Sequence, residues 1–341
     1  MNINSNKYNW WTLLLVACAI LSACEKQPTA STQNAISFGS GRKQASSTIN
    51  ANARLWGYTN AGAVIFDGVE AEYTKNESTG TLTPGVTRYW ADNQTYNFYS
   101  VWPVVADNGI SDIAFNKANS ELTFKIADIS AQNDNTDFCI AAAVGEEGGA
   151  DRTKSVKMTY KHALSKVQFY GFSSTAGITA QLTNFTITVP KSATAVCTLT
   201  TNTLAATETD ENALDIKYTF VDSDNTKNGV DSISLASTLP EDLPEGQDYF
   251  VLDVHDEKTN PNGTQVLEKL VLPMETGTFH VEATYKIGNE NKTVKTDITA
   301  IWQPGKNYIY KFYIQPAGPI TFGTVTVNDW VDFEEEEKVQ F

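Results

Sequence analysis

Hydrophobic and polar residues alternate with a period of two along much of this chain. The longest uninterrupted case places Phe279, Val281, Ala283, Tyr285 and Ile287 on one side. Such alternation is typical of β-strands that have one face on a core and the other face in water. The same pattern recurs in further segments, at residues 122–126, 156–160, 185–189, 216–220 and 308–314.

Clusters of turn-forming residues separate these segments. They are rich in Gly, Asn and Asp, which tolerate the backbone angles that tight turns require. Aromatic and β-branched residues are plentiful, and no stretch carries a sustained helical stripe of apolar residues with capping residues. The sequence therefore predicts an all-β protein with sandwich-like sheets.

The chain of 341 residues is long enough for two domains of ordinary size. A loop rich in Ser and Gly at residues 171–177 is the best candidate for a linker, and a boundary near Pro190 is the alternative. We expect a first domain over residues 35–175 and a second over residues 176–341, because the spacing of strands and loops fits two sandwiches in series.

The N-terminus has the features of a bacterial lipoprotein signal peptide. An apolar run from Trp10 to Leu21 is too short to span a bilayer, and Leu21, Ser22, Ala23 and Cys24 form a lipobox. Residues 1–23 would be removed by cleavage between Ala23 and Cys24, and Cys24 would carry acyl chains that hold the protein to a membrane. The polar residues 24–34 then form a flexible tether. An ordinary signal peptide with an accidental cysteine, or a buried helix, is the alternative.

Charge and cysteine content narrow the function further. The formal net charge is −15, which argues against nucleic acid and against an anionic membrane surface as partners. With Cys18 in the signal peptide and Cys24 as the lipid site, Cys139 and Cys197 remain. They are either two separate buried thiols or one disulfide, and their spacing is not that of a metal site.

The search for catalytic chemistry finds no motif. The histidines, His162, His255 and His280, have no metal-ligand spacing and do not accompany a nucleophile motif, so each is expected to be structural or on the surface. Residues 222–229 resemble the start of a calcium loop but lack its sixth-position Gly and closing Glu, which favours a solvated turn. We therefore expect no catalytic residue, cofactor or metal, and no enzymatic activity.

Several segments, in their order along the chain, resemble the fimbrillins of Bacteroidetes, which are pilus subunits and related surface lipoproteins. After the lipobox they are a short first strand at 35–38 (AISF), the basic pair Arg42 and Lys43, 54–58 (RLWGY), the aromatic blocks 88–90 (RYW) and 96–103 (YNFYSVWP), 156–169 (VKMTYKHALSKVQF), 304–310 (PGKNYIY) and 325–330 (VTVNDW). The segment 156–169 is the most specific. The resemblance implies two transthyretin-like β-sandwich domains in series.

The resemblance also implies a route of assembly. Fimbrillins travel to the outer membrane as lipoproteins, and a protease cuts them after a basic residue beyond the first strand. Here the removable strand would lie within residues 35–42, as an edge strand of its sheet, and Arg42 would be the cleavage residue, with Lys43 and Arg54 as weaker candidates. Alternatively, Arg42 is simply a residue of a surface loop. The vacated groove would accept a C-terminal strand of another subunit, at residues 321–333 or in the tail through Phe341.

Three functions can be compared with these observations, and the third of them finds no support in any motif. The first is a structural subunit of a fimbria at the outer membrane surface that serves adhesion, with other subunits, including anchor and tip proteins, and host or bacterial surface ligands as partners. The second is a surface lipoprotein that does not polymerise and binds glycans or host ligands through exposed aromatics, and the third is an enzyme. Ser232, in the triplet Asp231, Ser232 and Ile233, also resembles the O-glycosylation site of Bacteroidetes.

Overall fold

The structure is a computed structural model. It describes residues 34–40, 52–75, 80–104, 109–132, 137–149, 151–175, 177–203, 214–221, 230–240, 243–256, 260, 262–316 and 318–330. Outside these ranges lie the predicted signal peptide, Cys24 and most of the tether, Arg42 and Lys43, the turn at 222–229 and the tail beyond Trp330. The predictions made for those residues stay predictions.

The described residues are mostly in strands, which confirms the predicted all-β class. One short 3-10 helix, Ile129–Ala131, lies among them. In chain order the strands are β1 (Phe38–Ser40), β2 (Asn52–Thr59), β3 (Val64–Lys75), β4 (Gly80–Pro84), β5 (Thr95–Val104), β6 (Ile110–Asn116), β7 (Glu121–Ile126), β8 (Cys139–Glu147), β9 (Val156–Met158), β10 (Lys161–His162), β11 (Ser165–Ser173), β12 (Ala180–Pro190), β13 (Ala193–Thr198), β14 (Asp215–Phe220), β15 (Ser232–Ala236), β16 (Phe250–Leu252), β17 (Thr264–Val271), β18 (Met274–Ile287), β19 (Glu290–Trp302), β20 (Lys306–Ile314), β21 (Thr321–Phe322) and β22 (Thr326–Asp329).

Eight strands form the largest sheet, in the order β10-β8-β5-β2-β3-β4-β1-β9, and we call it the large sheet. Its neighbouring strands are antiparallel, except that β1 and β9 run parallel. The strands at opposite ends of this order, β9 and β10, are separated in the chain by Thr159 and Tyr160 alone. The sheet therefore curls until its two ends approach each other.

The curled sheet encloses a core of its own, which we call the inner core. Strands such as β5 are buried on both faces: Phe98 and Trp102 lie in the inner core, whereas Tyr99 and Val101 face the rest of the protein. A strand buried on both faces has no need of polar alternation, and the nearly continuous apolar run of β5 reflects this. Members of the inner core on other strands include Ile36, Phe38, Leu55, Phe66, Tyr73, Leu82, Trp90, Val156 and Met158.

Three smaller sheets complete the fold. They have the orders β17-β11-β20-β21, with β22 also beside β20; β15-β12-β18-β19, with β16 also beside β12; and β14-β13-β7-β6. Between these sheets and the outer face of the large sheet lies the main core. Its large buried side chains include Phe124, Phe138, Phe169, Phe185, Phe279, Trp302 and Phe312.

Two sheets combine strands from both sides of the predicted boundary near residue 175. In the four-stranded sheet, β13 pairs with β7, so that Ala195 lies opposite Phe124. β11 lies before the predicted linker, yet it pairs with β17 and β20, which both follow it. Paired strands therefore come from both sides of residue 175, and the division into two domains stays a prediction.

The two cysteines outside the N-terminal region do not pair. Cys139 on β8 and Cys197 on β13 are both buried thiols outside any disulfide, which confirms the first of the two alternatives. Burial raises the pKa of the Cys197 thiol to about 12, and the nearby charge of Asp215 adds to the shift. Within the described part of the chain, no helix has the length and apolar character needed to cross a bilayer.

Candidate functional site

The first described segment of the chain fills a slot in the large sheet. β1 lies between β4 and β9, with Phe38 opposite Leu82 on one side and opposite Val156 on the other. The ladder to β4 is antiparallel and the ladder to β9 is parallel. The expectation that this strand lies at an edge was wrong. It occupies an interior position because the distant segment that forms β9 folds back along its free side.

Side chains of this segment alternate between the inner core and solvent. Ile36 and Phe38 are buried, with 5% and 1% of their surface exposed, whereas Ala35 and Ser37 are exposed. The Phe38 ring packs edge-on against Phe98, with centroids 5.0 Å apart, and against Phe66 at 5.9 Å. Removal of this segment would therefore open an apolar trough in the inner core.

Hydrogen bonds continue beyond β1 on both sides of the segment. The Ile36 N–H donates to the Arg88 carbonyl at 2.8 Å, and the Trp90 N–H donates to the Asn34 carbonyl at 3.1 Å. On the other side, the Val156 N–H donates to the Ser37 carbonyl at 2.8 Å. Both walls of the slot would thus carry unpaired backbone groups if the segment left, and such groups are costly when they are shielded from water.

The last described strand, β22, is held loosely by comparison. It pairs with β20, and all four of its residues are exposed. One ion pair supports it, between Lys306 Nζ and Asp329 Oδ1 at 2.7 Å. Its attachment to apolar surroundings comes from Trp330, which is 9% exposed.

Three neighbouring residues contact Trp330: His162, Gly305 and Lys166. Its indole stacks on the imidazole of His162, with ring centroids 3.8 Å apart and planes inclined by 6°. The backbone N–H of Trp330 donates to the Gly305 carbonyl at 2.9 Å, and Lys166 Nζ lies 5.6 Å from the centroid of the Trp330 ring. His162 is 8% exposed, so of the two expectations for this histidine the structural one holds.

Comparison with known proteins places the chain in a family. The model of the fimbrillin-like family matches residues 42–330. The chain belongs to the fimbrillin-like family. This confirms the resemblance drawn from the sequence, and the matched region contains both the walls of the slot and Trp330.

Solved structures share the fold of this fimbrillin-like protein at low identity. A fimbrial protein from Bacteroides vulgatus has a TM-score of 0.58 and 13% identity, with 87% of this chain and 100% of that one covered. A candidate cell adhesion protein from Parabacteroides distasonis gives 0.52 and 9%, with 89% and 98% covered. Another from Bacteroides uniformis gives 0.50 and 18%, with 89% and 100% covered. None of the curated proteins matches the sequence.

The candidate cleavage residues of this fimbrillin-like protein lie in different settings. Arg54 is within β2, where its backbone pairs with Glu70 and Val101 and its carbonyl accepts a hydrogen bond from Ser100 Oγ at 3.0 Å. These pairings would have to open before a protease could reach it. Arg42 and Lys43 belong to the connection between β1 and β2, outside the described residues.

Ser232, the candidate glycosylation residue, begins β15 opposite Pro190. Its side chain is exposed, and its hydroxyl donates to the Val230 carbonyl at 2.9 Å. The position is accessible to a modifying enzyme. Modification at Ser232 stays a prediction.

Sequence reasoning missed the pairing of the strands that line the slot, and it gave no sign that His162 supports Trp330. Leu82 and Val156 lie on strands distant from β1 in the chain, and the sequence contains no local signal of their pairing. Tyr160 was equally hidden: its hydroxyl contacts Ser100 Oγ at 2.7 Å inside the inner core, and burial raises its pKa far above the usual value. The phenol therefore stays neutral within the inner core.

Proposed function

We propose that this fimbrillin-like protein is a structural subunit of a cell-surface fimbria. It is exported as a lipoprotein through Cys24, it loses its first strand by proteolysis after Arg42, and it then polymerises by strand exchange. Membership of the fimbrillin-like family supports the fimbrial role. The mechanism rests on one observation, the interior position of β1 between β4 and β9.

Removal of the first strand creates a receptive groove. Ile36 and Phe38 together bury two large apolar side chains, each worth about 1.5–3 kcal/mol on transfer from water. Their loss exposes an apolar trough flanked by two strands with unpaired backbone groups. An extended segment from another subunit would cover the apolar trough and pair the backbone groups at the same time. The cleaved monomer is thus less stable than either the precursor or the polymer.

The C-terminal strand is the donor in this proposal. β22 buries none of its own residues in the monomer, and Val327 is 50% exposed. Donation would place exposed apolar groups such as Val327 in the trough. Because the donor and the groove are formed by different strands, the contact is head-to-tail, and it gives an open filament where its repetition does not close into a ring.

The alternative, a surface lipoprotein that binds glycans through exposed aromatics, finds less support. Of the seven tryptophans, the described residues contain Trp56, Trp90, Trp102, Trp302 and Trp330, and each is buried. Tyr89 is the large aromatic exposed by more than half within the described ranges, at 54%. A single exposed ring does not make an aromatic platform for a sugar.

Deletion of residues 328–341 tests the donor. We expect a folded monomer, judged by circular dichroism, and complete loss of the heat-sensitive ladders that polymers form on gels. Deletion of residues 334–341 is the matched control, since it keeps β22 and Trp330. Ladders that persist in the longer deletion would exclude residues 328–341 as the donor. Ladders lost in both would place the donor in the tail.

N-terminal sequencing of the assembled surface form tests the cleavage. We expect a start at Lys43 in the native chain and no processing in Arg42→Gln, whereas Lys43→Gln should be cut after Arg42 as before. Electron microscopy should show filaments on cells with the native chain and on cells with Lys43→Gln, but none on cells with Arg42→Gln. A mature form that still begins at Cys24 would refute strand removal, and it would leave the fimbrial assignment to the deletion experiment.

A further inference from the structure

A buried group of three potential metal ligands lies beneath Trp330. Asp137 precedes β8, Cys139 begins β8, and His162 lies on β10 directly opposite Cys139 in the ladder. Their exposed fractions are 4%, 1% and 8%. Within the described ranges, no other three carboxylate, thiol or imidazole side chains come this close, with all ligand atoms within 4.8 Å of one another.

Two of the three distances within this group match zinc coordination, and both involve the sulfur of Cys139. Zn–S bonds of about 2.3 Å and Zn–N or Zn–O bonds of about 2.0–2.1 Å place sulfur about 3.6 Å from the nitrogen or oxygen of a neighbouring ligand. Cys139 Sγ lies 3.6 Å from His162 Nδ1 and 3.6 Å from Asp137 Oδ2. The third distance does not match: His162 Nδ1 and Asp137 Oδ2 are hydrogen-bonded to each other. Two such ligands of one zinc ion lie about 3.3 Å apart. A cation would therefore replace this bond and move the two side chains apart.

A second observation points to a ligand at the same place. Asp137 Oδ1 is buried and has no hydrogen-bond partner, which is costly for a carboxylate oxygen away from water. A metal held by both carboxylate oxygens, the thiolate and the imidazole would have four donor atoms. A dication with one carboxylate, one thiolate and a neutral imidazole has no net charge, so the loaded group suits a buried position.

We propose that Asp137, Cys139 and His162 form a binding site for a transition-metal dication of the zinc type. Thiolate and imidazole donors select such ions over Ca²⁺ and Mg²⁺, which prefer oxygen ligands. The bound ion joins the start of β8 to β10 and closes this end of the large sheet. It also holds the plane of the His162 ring on which Trp330 stacks.

Cobalt(II) titration of the full chain tests the site, because Co²⁺ replaces Zn²⁺ and absorbs in the near ultraviolet when a thiolate binds it. The purified chain is reduced and freed of metal with a chelator before the titration. We expect one equivalent of Co²⁺ to produce a thiolate charge-transfer band, which Zn²⁺ then removes. The same Zn²⁺ should raise the Tm of the native chain.

Variants distinguish this site from adventitious binding. Cys139→Ala should abolish the band, whereas Cys197→Ala, which removes the other buried thiol of the described residues, should keep it. Asp137→Asn and His162→Gln should each weaken Co²⁺ binding at least tenfold and reduce the rise in Tm with Zn²⁺. Circular dichroism checks that each variant is folded. If Cys139→Ala does not fold, Asp137→Asn, which preserves the shape of the side chain, carries the test instead. A band that is absent from the native chain, or unchanged in Asp137→Asn and His162→Gln, would overturn the proposal.

Discussion

The indole of Trp330 lies flat against the imidazole of His162, with centroids 3.8 Å apart. This contact joins the C-terminal strand to the segment that begins with β9, one wall of the slot filled by β1. The proposed donor strand and the proposed groove therefore meet on one continuous stretch of chain, residues 156–162. A substitution near Trp330 should therefore alter the stability of the β1 slot, and a substitution in the slot should alter the stability of β22.

Replacement of Trp330 should release β22 without unfolding the protein. The four residues of the strand are exposed, so the loss of the indole leaves its ladder to β20 with little support. In Trp330→Ala, we expect the amides of the β20–β22 ladder to lose hydrogen-exchange protection at least tenfold. Trp330→Phe keeps a ring on His162 and should retain most of the protection. Equal protection in all three proteins would show that Trp330 is not the anchor.

Truncation of Phe38 should loosen the first strand. The ring is 1% exposed and packs on Phe98 and Phe66, so Phe38→Ala should lower the free energy of unfolding of the uncleaved chain by about 3–5 kcal/mol. Gly39→Ala is the matched control, because a Cβ there would meet no atom within 4 Å. It should change stability by less than about 0.5 kcal/mol. Urea denaturation measures both, and equal effects would show that packing of Phe38 does not hold the strand.

Local strands could be predicted from the sequence because each depends on its own pattern. The alternation at 279–287 lies within β18, and that at 308–314 lies within β20. The strand predicted at residues 156–160 is shorter in the structure, where β9 ends at Met158. There the chain leaves the sheet so that β10 can begin at Lys161 on the opposite end of the same sheet, a change of partner that alternation does not encode.

Contacts between distant residues could not be predicted. Asp137, Cys139 and His162 come together because β8 and β10 pair, and the spacing of these residues in the chain matches no metal motif. The interior position of β1 depends in the same way on β9, which lies more than a hundred residues further along the chain. The family resemblance implied that the first strand is removable. The pairing with β9 that places it inside the sheet has no signal in the sequence and is seen only in the structure.

A methyl group at Gly57 should disturb the same inner core from another strand. A Cβ there would lie 2.8 Å from Phe98 Cδ1 and 2.9 Å from Phe66 Cδ2, which are the two rings that contact Phe38. Overpacking of this kind costs about 1–3 kcal/mol. We therefore expect Gly57→Ala to destabilise the chain by that amount in urea and to speed proteolysis of the first strand. Stability unchanged from that of Gly39→Ala would show that the rings move aside freely.

Acid should remove the stabilising ion pair between Lys166 on β11 and Glu268 on the neighbouring strand β17. Burial acts to raise the pKa of Glu268, but the hydrogen bond and charge of Lys166, 2.5 Å away, with hydrogen bonds from Gln168 and Gln265, lower it below the usual value. A carboxyl whose pKa is lower in the folded state stabilises the fold above its unfolded pKa of about 4.3. That contribution is lost as the pH falls through the folded pKa.

Glu268→Gln should consequently be less stable than the native chain by about 1–2 kcal/mol at pH 7, and this difference should shrink below about pH 4.3. The control is Glu282→Gln, because the Glu282–Lys295 pair is exposed and surface pairs contribute little. Urea denaturation at pH 7 and at pH 3 measures both variants against the native chain. A difference for Glu268→Gln that stays constant or grows toward pH 3 would show that the carboxylate does not stabilise the folded state.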